Sequence, residues 1–136
     1  MGPGRAGSSA IVEGMKGRVL VVDDDPALAE MLGIVLEADG FEPHFVADGD
    51  RALPAFRELQ PDLVLLDVMM PHMDGTETFA ALREIDNTRD TPIVFLTAKA
   101  QPLEVQRLLN LGAKDVLTKP FDPLEIAERV AASIDA

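Results

Sequence analysis

The stretch LVLLDVMMPHMDG, residues 63–75, carries four apolar residues straight into a carboxylate, Asp67, and then breaks at Pro71 and Gly75. So short and continuous an apolar run reads as a strand buried on both faces, as in a parallel sheet covered by helices. RVLVVD (18–23) and PIVFLT (92–97) have the same form, each ending on a polar residue. EPHFVA (42–47) and KDVLTK (114–119) are weaker and more polar, which suits the two edge strands. Pro43 cannot donate to a ladder and supports an edge position for the first of them.

Helical patterns fill the intervals. Leu28, Met31, Leu32, Val35 and Leu36 recur at spacings of three and four within 26–38, with Gly40 as a stop. Phe79, Leu82 and Ile85 do the same in 75–86, and Val105, Leu108 and Leu109 mark a short helix before Gly112. Leu124, Ile126, Ala127, Val130 and Ile134 mark the last. Asp25-Pro26 and Asp122-Pro123 pair an N-cap acid with a proline in the first helical position, and Glu125 can complete a capping box with Asp122. Pro54 costs a helix over 50–59 at least one backbone bond. Five repeats of strand then helix predict a single α/β domain with an open, doubly wound parallel sheet rather than a small barrel. Ligands of such sheets sit at the carboxyl ends of the strands, near the point where strand order reverses.

Composition narrows the chemistry. Among 136 residues, 12 basic and 24 acidic side chains give a net charge of -12, which disfavours direct nucleic-acid contact by this segment. The absence of cysteine excludes disulfides and thiolate metal sites, and two histidines, His44 and His72, are too few for a histidine-built zinc site. No apolar run approaches the ~18 residues of a membrane span. The opening MGPGRAGSSAIVEG lacks the apolar core of a signal peptide, so 1–17 reads as a flexible leader, with Met15 an alternative start. The expected protein is cytoplasmic, with its domain over 18–136.

The predicted carboxyl ends supply Asp23 and Asp24 after the first strand, Asp67 after the third, Thr97 and the small Ala98 after the fourth, and Lys119-Pro120 after the fifth. Taken singly, each has an ordinary explanation: aspartates cap and turn, threonine suits strands, lysine suits solvent. Asp25 takes that ordinary role as a helix cap. Three carboxylates gathered together, however, repel and raise one another's pKa, and a divalent cation relieves them. Oxygen-only ligands favour Mg²⁺ or a similar hard ion such as Mn²⁺. Lys119 then suits a phosphoryl oxygen, and Thr97 can donate one hydrogen bond to the same group.

In VLVVDDDP, PDLVLLDVMMPHMDG, PIVFLTA and GAKDVLTKPF, taken in that order, the chain resembles a receiver domain of the bacterial two-component response-regulator family over roughly 18–134. The resemblance implies a flavodoxin-like (βα)5 fold with strand order 2-1-3-4-5. It implies that Asp67 accepts a phosphoryl group from the phosphohistidine of a sensor kinase or phosphotransfer protein. It further implies that Asp24, Asp67 and the backbone carbonyl of Met69 hold the metal, Asp23 acting through water, and that Thr97 and Lys119 close on the phosphoryl group. A cis Lys119-Pro120 bond, self-dephosphorylation, an output domain or effector partner, and a homodimer through the fourth helix, fifth strand and fifth helix belong to the same set. Further features stand outside it. Val116 occupies a position that is aromatic in many members, so coupling is expected through the loop after Thr97 and the helix near 102–110. His72 lies five positions after Asp67 but has no role in the family, and Met69, Met70 and Met73 read as packing at the crevice rim.

Three rival readings make different demands. A magnesium-dependent aspartyl phosphatase usually places a second acid two residues after its nucleophile, where this chain has Met69. A flavodoxin-like cofactor module needs a hydroxyl- and glycine-rich phosphate loop where this chain has three aspartates. A phosphorylation-independent binding module has no need of the full set Asp23, Asp24, Asp67, Thr97 and Lys119.

Overall fold

In the computed structural model, which describes residues 15–70, 72–85, 90–99 and 101–135, strands and helices alternate along the chain. They are β1 (Gly17–Val22), α1 (Pro26–Ala38), β2 (Phe41–Val46), α2 (Gly49–Leu59) and β3 (Leu63–Asp67), then α3 (Gly75–Ile85), β4 (Ile93–Thr97), α4 (Pro102–Asn110), β5 (Asp115–Thr118) and α5 (Pro123–Asp135). All pairings are parallel and the sheet order is β2-β1-β3-β4-β5. The two polar strands are therefore the edges, as their composition predicts. Strand β3 is buried at every position, which is why its sequence shows no polar alternation.

Side chains of one strand alternate between two cores. Leu20, Val22, Val64, Leu66, Ile93 and Phe95 point to the side covered by α2, α3 and α4, where they meet Phe56, Phe79 and Leu108. Val19, Val21, Leu63, Leu65, Val94 and Leu96 point to the other, where they meet Leu32, Leu36, Ile126 and Val130 of α1 and α5.

Helix starts follow from short side chains that accept orphan amide protons. The Asp25 carboxylate accepts from the Ala27 and Leu28 amides at 3.0 and 3.4 Å, and Asp122 accepts from Leu124 at 3.0 Å. Asp48 caps α2 by accepting from Arg51 at 2.8 Å, and the helix continues through Pro54 because Ala52 and Phe56 anchor its inner face. Two apolar residues placed on inner faces by the sequence pattern lie outside: Leu124 is 75% exposed and Leu109 37%. Helix α5 buries Ile126, Ala127, Val130 and Ser133, and Leu124 stands two residues earlier, about 200° around the axis from Ile126. Helix α4 buries Leu108 alone.

Residues 1–14 of the expected leader lie outside the described residues. Pairing nonetheless begins before Arg18, because the Lys16 amide donates to the Gly40 carbonyl at 2.8 Å and β1 opens at Gly17. No helix among the described residues is long and apolar enough to cross a membrane.

Helix α2 ends on Gln60 at φ 49° and ψ 63°, a left-handed conformation that costs any residue with a Cβ. Gln60→Gly is expected to stabilise the fold by about 0.5–1 kcal/mol, the strain relieved outweighing the added freedom of the unfolded chain. Urea unfolding checks it: the midpoint moves up with an unchanged slope.

Candidate functional site

The strands deliver their last residues to one edge. Asp23 follows β1, its amide donating to the Val46 carbonyl at 3.2 Å, while its Oδ1 accepts from the Asp25 amide at 2.9 Å. Asp67 is the last residue of β3, and β3 lies between β1 and β4. Thr97 ends β4 and Lys119 follows β5, with the Lys119 amide donating to the Thr97 carbonyl at 2.7 Å. Strand order reverses between β1 and β3, so Asp23 and Asp67 flank the place where doubly wound sheets bind ligands. The Lys119–Pro120 bond is cis.

Side chains converge there. Lys119 Nζ lies 3.3 Å from Asp23 Oδ2 and 3.2 Å from Asp67 Oδ1. One carboxylate oxygen each from Asp23, Asp24 and Asp67 fall within 4.8 Å of one another. Asp23 and Asp67 are buried, Asp24 is exposed, and Thr97 is fully buried with its hydroxyl accepting from the Lys99 amide at 3.0 Å. Burial, and then repulsion from Asp23, push the Asp67 carboxyl above the ordinary carboxylate range, more than Lys119 and the Met69 amide pull it down. Burial works against the charge on Lys119, but Asp23 and Asp67 together outweigh it and raise the ammonium's pKa. The fold therefore disfavours the charge on Asp67 more than water would. Three carboxylates against one ammonium leave the crevice short of positive charge. An all-oxygen donor set of that size suits a hard divalent cation.

The loop after Asp67 is set by backbone contact. The Val68 amide donates to Leu96 at 3.0 Å and the Gly75 amide to Val68 at 2.9 Å, folding the start of α3 back onto the strand end. A Cβ on Gly75 would lie 2.3 Å from the Asp67 carbonyl oxygen, so only glycine allows that approach. Asp74 and Glu77 form a reciprocal capping box: Glu77 N donates to Asp74 Oδ1 at 2.9 Å and Asp74 N to Glu77 Oε1 at 3.1 Å. The spacing Asp-Gly-Thr-Glu at 74–77 carries the signal for it, whereas the Asp122 carboxylate accepts from the Leu124 amide and, among the described residues, forms no such pair with Glu125. Met69 stands 62% exposed at the mouth, its amide donating to Asp67 Oδ1 at 3.4 Å, whereas Met70 is core rather than rim. His72 is exposed, with φ 70°.

A doubly wound parallel sheet with an acidic crevice at its switch point, and three aspartates where a glycine-rich phosphate loop would follow β1, fits a phosphoryl-handling domain rather than a flavin- or nucleotide-binding one. The response regulator receiver domain family model matches residues 19–131, and the chain belongs to that family. It is a receiver domain of two-component signalling, a phosphoacceptor switch rather than a turnover enzyme. The DNA-binding response regulator MtrA of Mycolicibacterium smegmatis is 50% identical over 120 residues, covering 88% of this chain and 51% of that protein. The phosphate regulon transcriptional regulatory protein PhoB of Escherichia coli is 42% identical over 118 residues, covering 87% and 52%. The chain thus spans about half the length of these curated relatives. Among solved structures, the chemotaxis protein CheY4 of Vibrio cholerae superimposes with a TM-score of 0.80 at 33% identity, covering 85% of this chain and 97% of that one.

Proposed function

We propose that Asp67 is the phosphoacceptor. An oxygen of its carboxylate attacks the phosphorus of a phosphohistidine on a sensor kinase or phosphotransfer protein; the P–O bond forms as the P–N bond breaks, and the imidazole leaves with the electron pair. Lys119, already in contact with Asp67, moves onto the transferred group and neutralises its oxygens, while Thr97 donates its hydroxyl to one of them. Asp24, Asp67 and the Met69 carbonyl would hold Mg²⁺ (or Mn²⁺), and Asp23 would act through water. Such an ion supplies charge neutralisation and alignment for in-line transfer. Buried Asp23 also anchors Lys119 beside the nucleophile.

The observation that carries this reading is one ammonium bridging two buried carboxylates, with a third carboxylate oxygen within 4.8 Å. The receiver unit is taken as 18–136, in the cytoplasm, switching an output domain or effector, with homodimerisation through α4, β5 and α5 as one route. It also hydrolyses its own acyl phosphate. MtrA is described as DNA-binding, and the matched part is about half of it. A net charge of -12 argues that any DNA contact is made outside this segment.

Incubation with acetyl phosphate and Mg²⁺ followed by intact-mass measurement tests the reading. One adduct of about 80 Da, mapped to Asp67 and abolished by EDTA, is expected. Steady phosphate release from many esters would instead indicate a phosphatase. A chain that never gains the adduct would be a phosphorylation-independent module.

A further inference from the structure

Strand β4 alternates, so Ile93, Phe95 and Thr97 share the face covered by α2, α3 and α4, and Phe95 is the residue directly beneath Thr97 on that face. The Phe95 ring stacks on Phe79 of α3, with centroids 5.5 Å apart and planes at 28°. Phe79 also lies beside the end of the α4 segment: a Cβ added to Gly112, two residues after α4, would meet Phe79 Cζ at 3.5 Å, an ordinary packing distance, and Gly112 holds φ +114°. The Arg83 guanidinium lies 5.0 Å from the centroid of the same ring while its Nη1 donates to the Thr91 carbonyl at 2.8 Å, so the ring is fixed from more than one side.

Helix α4 is lightly anchored, with Val105 half-buried against the same cluster. It buries one side chain, Leu108, which belongs to the same cluster as both phenylalanines, and Gln101 at its start offers no side-chain cap. Leu103 is 86% exposed. Helices so lightly anchored lie at the low-stability end of a structure and move first. Close-packed interiors transmit displacement rather than absorb it. On β5, the residue opposite Phe95 is Val116, and it packs in this same cluster without a ring of its own.

We propose that Phe79 is a positioning residue that couples the phosphoryl site to α4, its ring linking Phe95, beneath Thr97, to the Gly112 turn that ends the helix. The inference rests on the phosphoacceptor reading of Asp67. When Thr97 is drawn toward a phosphoryl group, the Phe95 ring follows, the stack shifts, and the Gly112 turn and α4 are displaced together. The coupling is aromatic, but it runs through α3 and not through β5.

The test uses the full chain with beryllofluoride and Mg²⁺, fluorine NMR for occupancy, and hydrogen–deuterium exchange of residues 101–112 for the response. In the parent, occupancy is expected to change exchange over 101–112 by about 5-fold or more. Phe79→Leu is expected to keep the bound-fluoride signal while the α4 response falls below about 2-fold. Phe95→Leu should do the same, and the double variant no more than either alone, as for two members of one link. Ile126→Val, a smaller trim in the opposite core, should leave the response intact. A Phe79→Leu chain that binds beryllofluoride and responds like the parent overturns the inference alone. So does an Ile126→Val chain that loses the response equally. A parent chain with no bound-fluoride signal overturns the phosphoacceptor reading and this inference with it.

Discussion

Asp67→Asn is expected to accept no phosphoryl group at all and, in metal-free buffer at neutral pH, to unfold at higher denaturant than the parent. The first effect is the larger: the adduct of about 80 Da disappears, because an amide oxygen carries no charge with which to attack phosphorus. The second follows from the site's electrostatics. Burial, and then Asp23, raise the Asp67 pKa, so the folded state binds its proton more tightly than the unfolded chain does. The stability this contributes is fully present below the unfolded pKa and is lost as pH rises through the folded one. Once ionised, the group is a net burden, even with Lys119 Nζ 3.2 Å away. Asparagine keeps the shape and removes the charge, and Lys119 retains Asp23 at 3.3 Å. A higher unfolding midpoint than the parent's is therefore expected in EDTA. That gap should close in acid, where Asp67 is neutral in both states. Saturating Mg²⁺ should reverse it, since a ligand at ~100 times its Kd stabilises the binding-competent parent by ~2.7 kcal/mol. Urea titrations at neutral and acidic pH, with and without Mg²⁺, read all three signs. A variant less stable than the parent in EDTA would mean that the Lys119–Asp67 pair outweighs burial and repulsion.

Most of this site could be read from strand ends. Short apolar runs ending in Asp23, Asp67 and Thr97 identify central parallel strands, and alternation of strand and helix puts those ends on one edge. Where the reading failed, the missing information was three-dimensional. Leu124 satisfied a helical spacing, but several registers fit a helix with so many apolar residues, and contact with the sheet chose the one that buries Ile126 and Val130. Met70 reads as rim because it sits in a loop of mixed composition, and only the fold puts it in the core cluster with Val68, Phe79 and Phe95. Val116 announced a missing aromatic, yet nothing in the sequence connects Phe79 with Phe95, whose rings meet only because α3 crosses β4. The partnership of Lys119 with Asp23, 96 positions apart, became specific only in the fold.

Gly75→Ala is the substitution expected to harm fold and site together. Gly75 does not hold a left-handed backbone, so its need for glycine is one of space. A methyl group there would lie 2.3 Å from the Asp67 carbonyl oxygen, 2.7 Å from Val68 Cα and 3.0 Å from the Asp67 carbonyl carbon. All three are backbone atoms, so no rotamer change can relieve the clash. Either α3 retreats, stretching the 2.9 Å hydrogen bond from Gly75 N to Val68 O and disturbing the Asp74–Glu77 capping box, or the end of β3 retreats and takes the Asp67 carboxylate with it. Overpacking of this kind costs ~1–3 kcal/mol and the lost hydrogen bond another ~1, so a loss of about 2–4 kcal/mol is expected. The two routes are separable at a temperature where the variant remains folded. If α3 yields, phosphorylation by acetyl phosphate proceeds near the parental rate despite the lower stability. If the strand end yields, a displacement near 1 Å at the nucleophile slows it by roughly 100-fold. Asp67 is paired through β3 to β4 on one side, with Val68 N held to Leu96 O at 3.0 Å, while α3 is one surface helix, so the helix is the side expected to give way first. Stability should therefore fall more steeply than reactivity. A Gly75→Ala chain with parental stability would show that the contact between α3 and the end of β3 is looser than 2.3 Å implies.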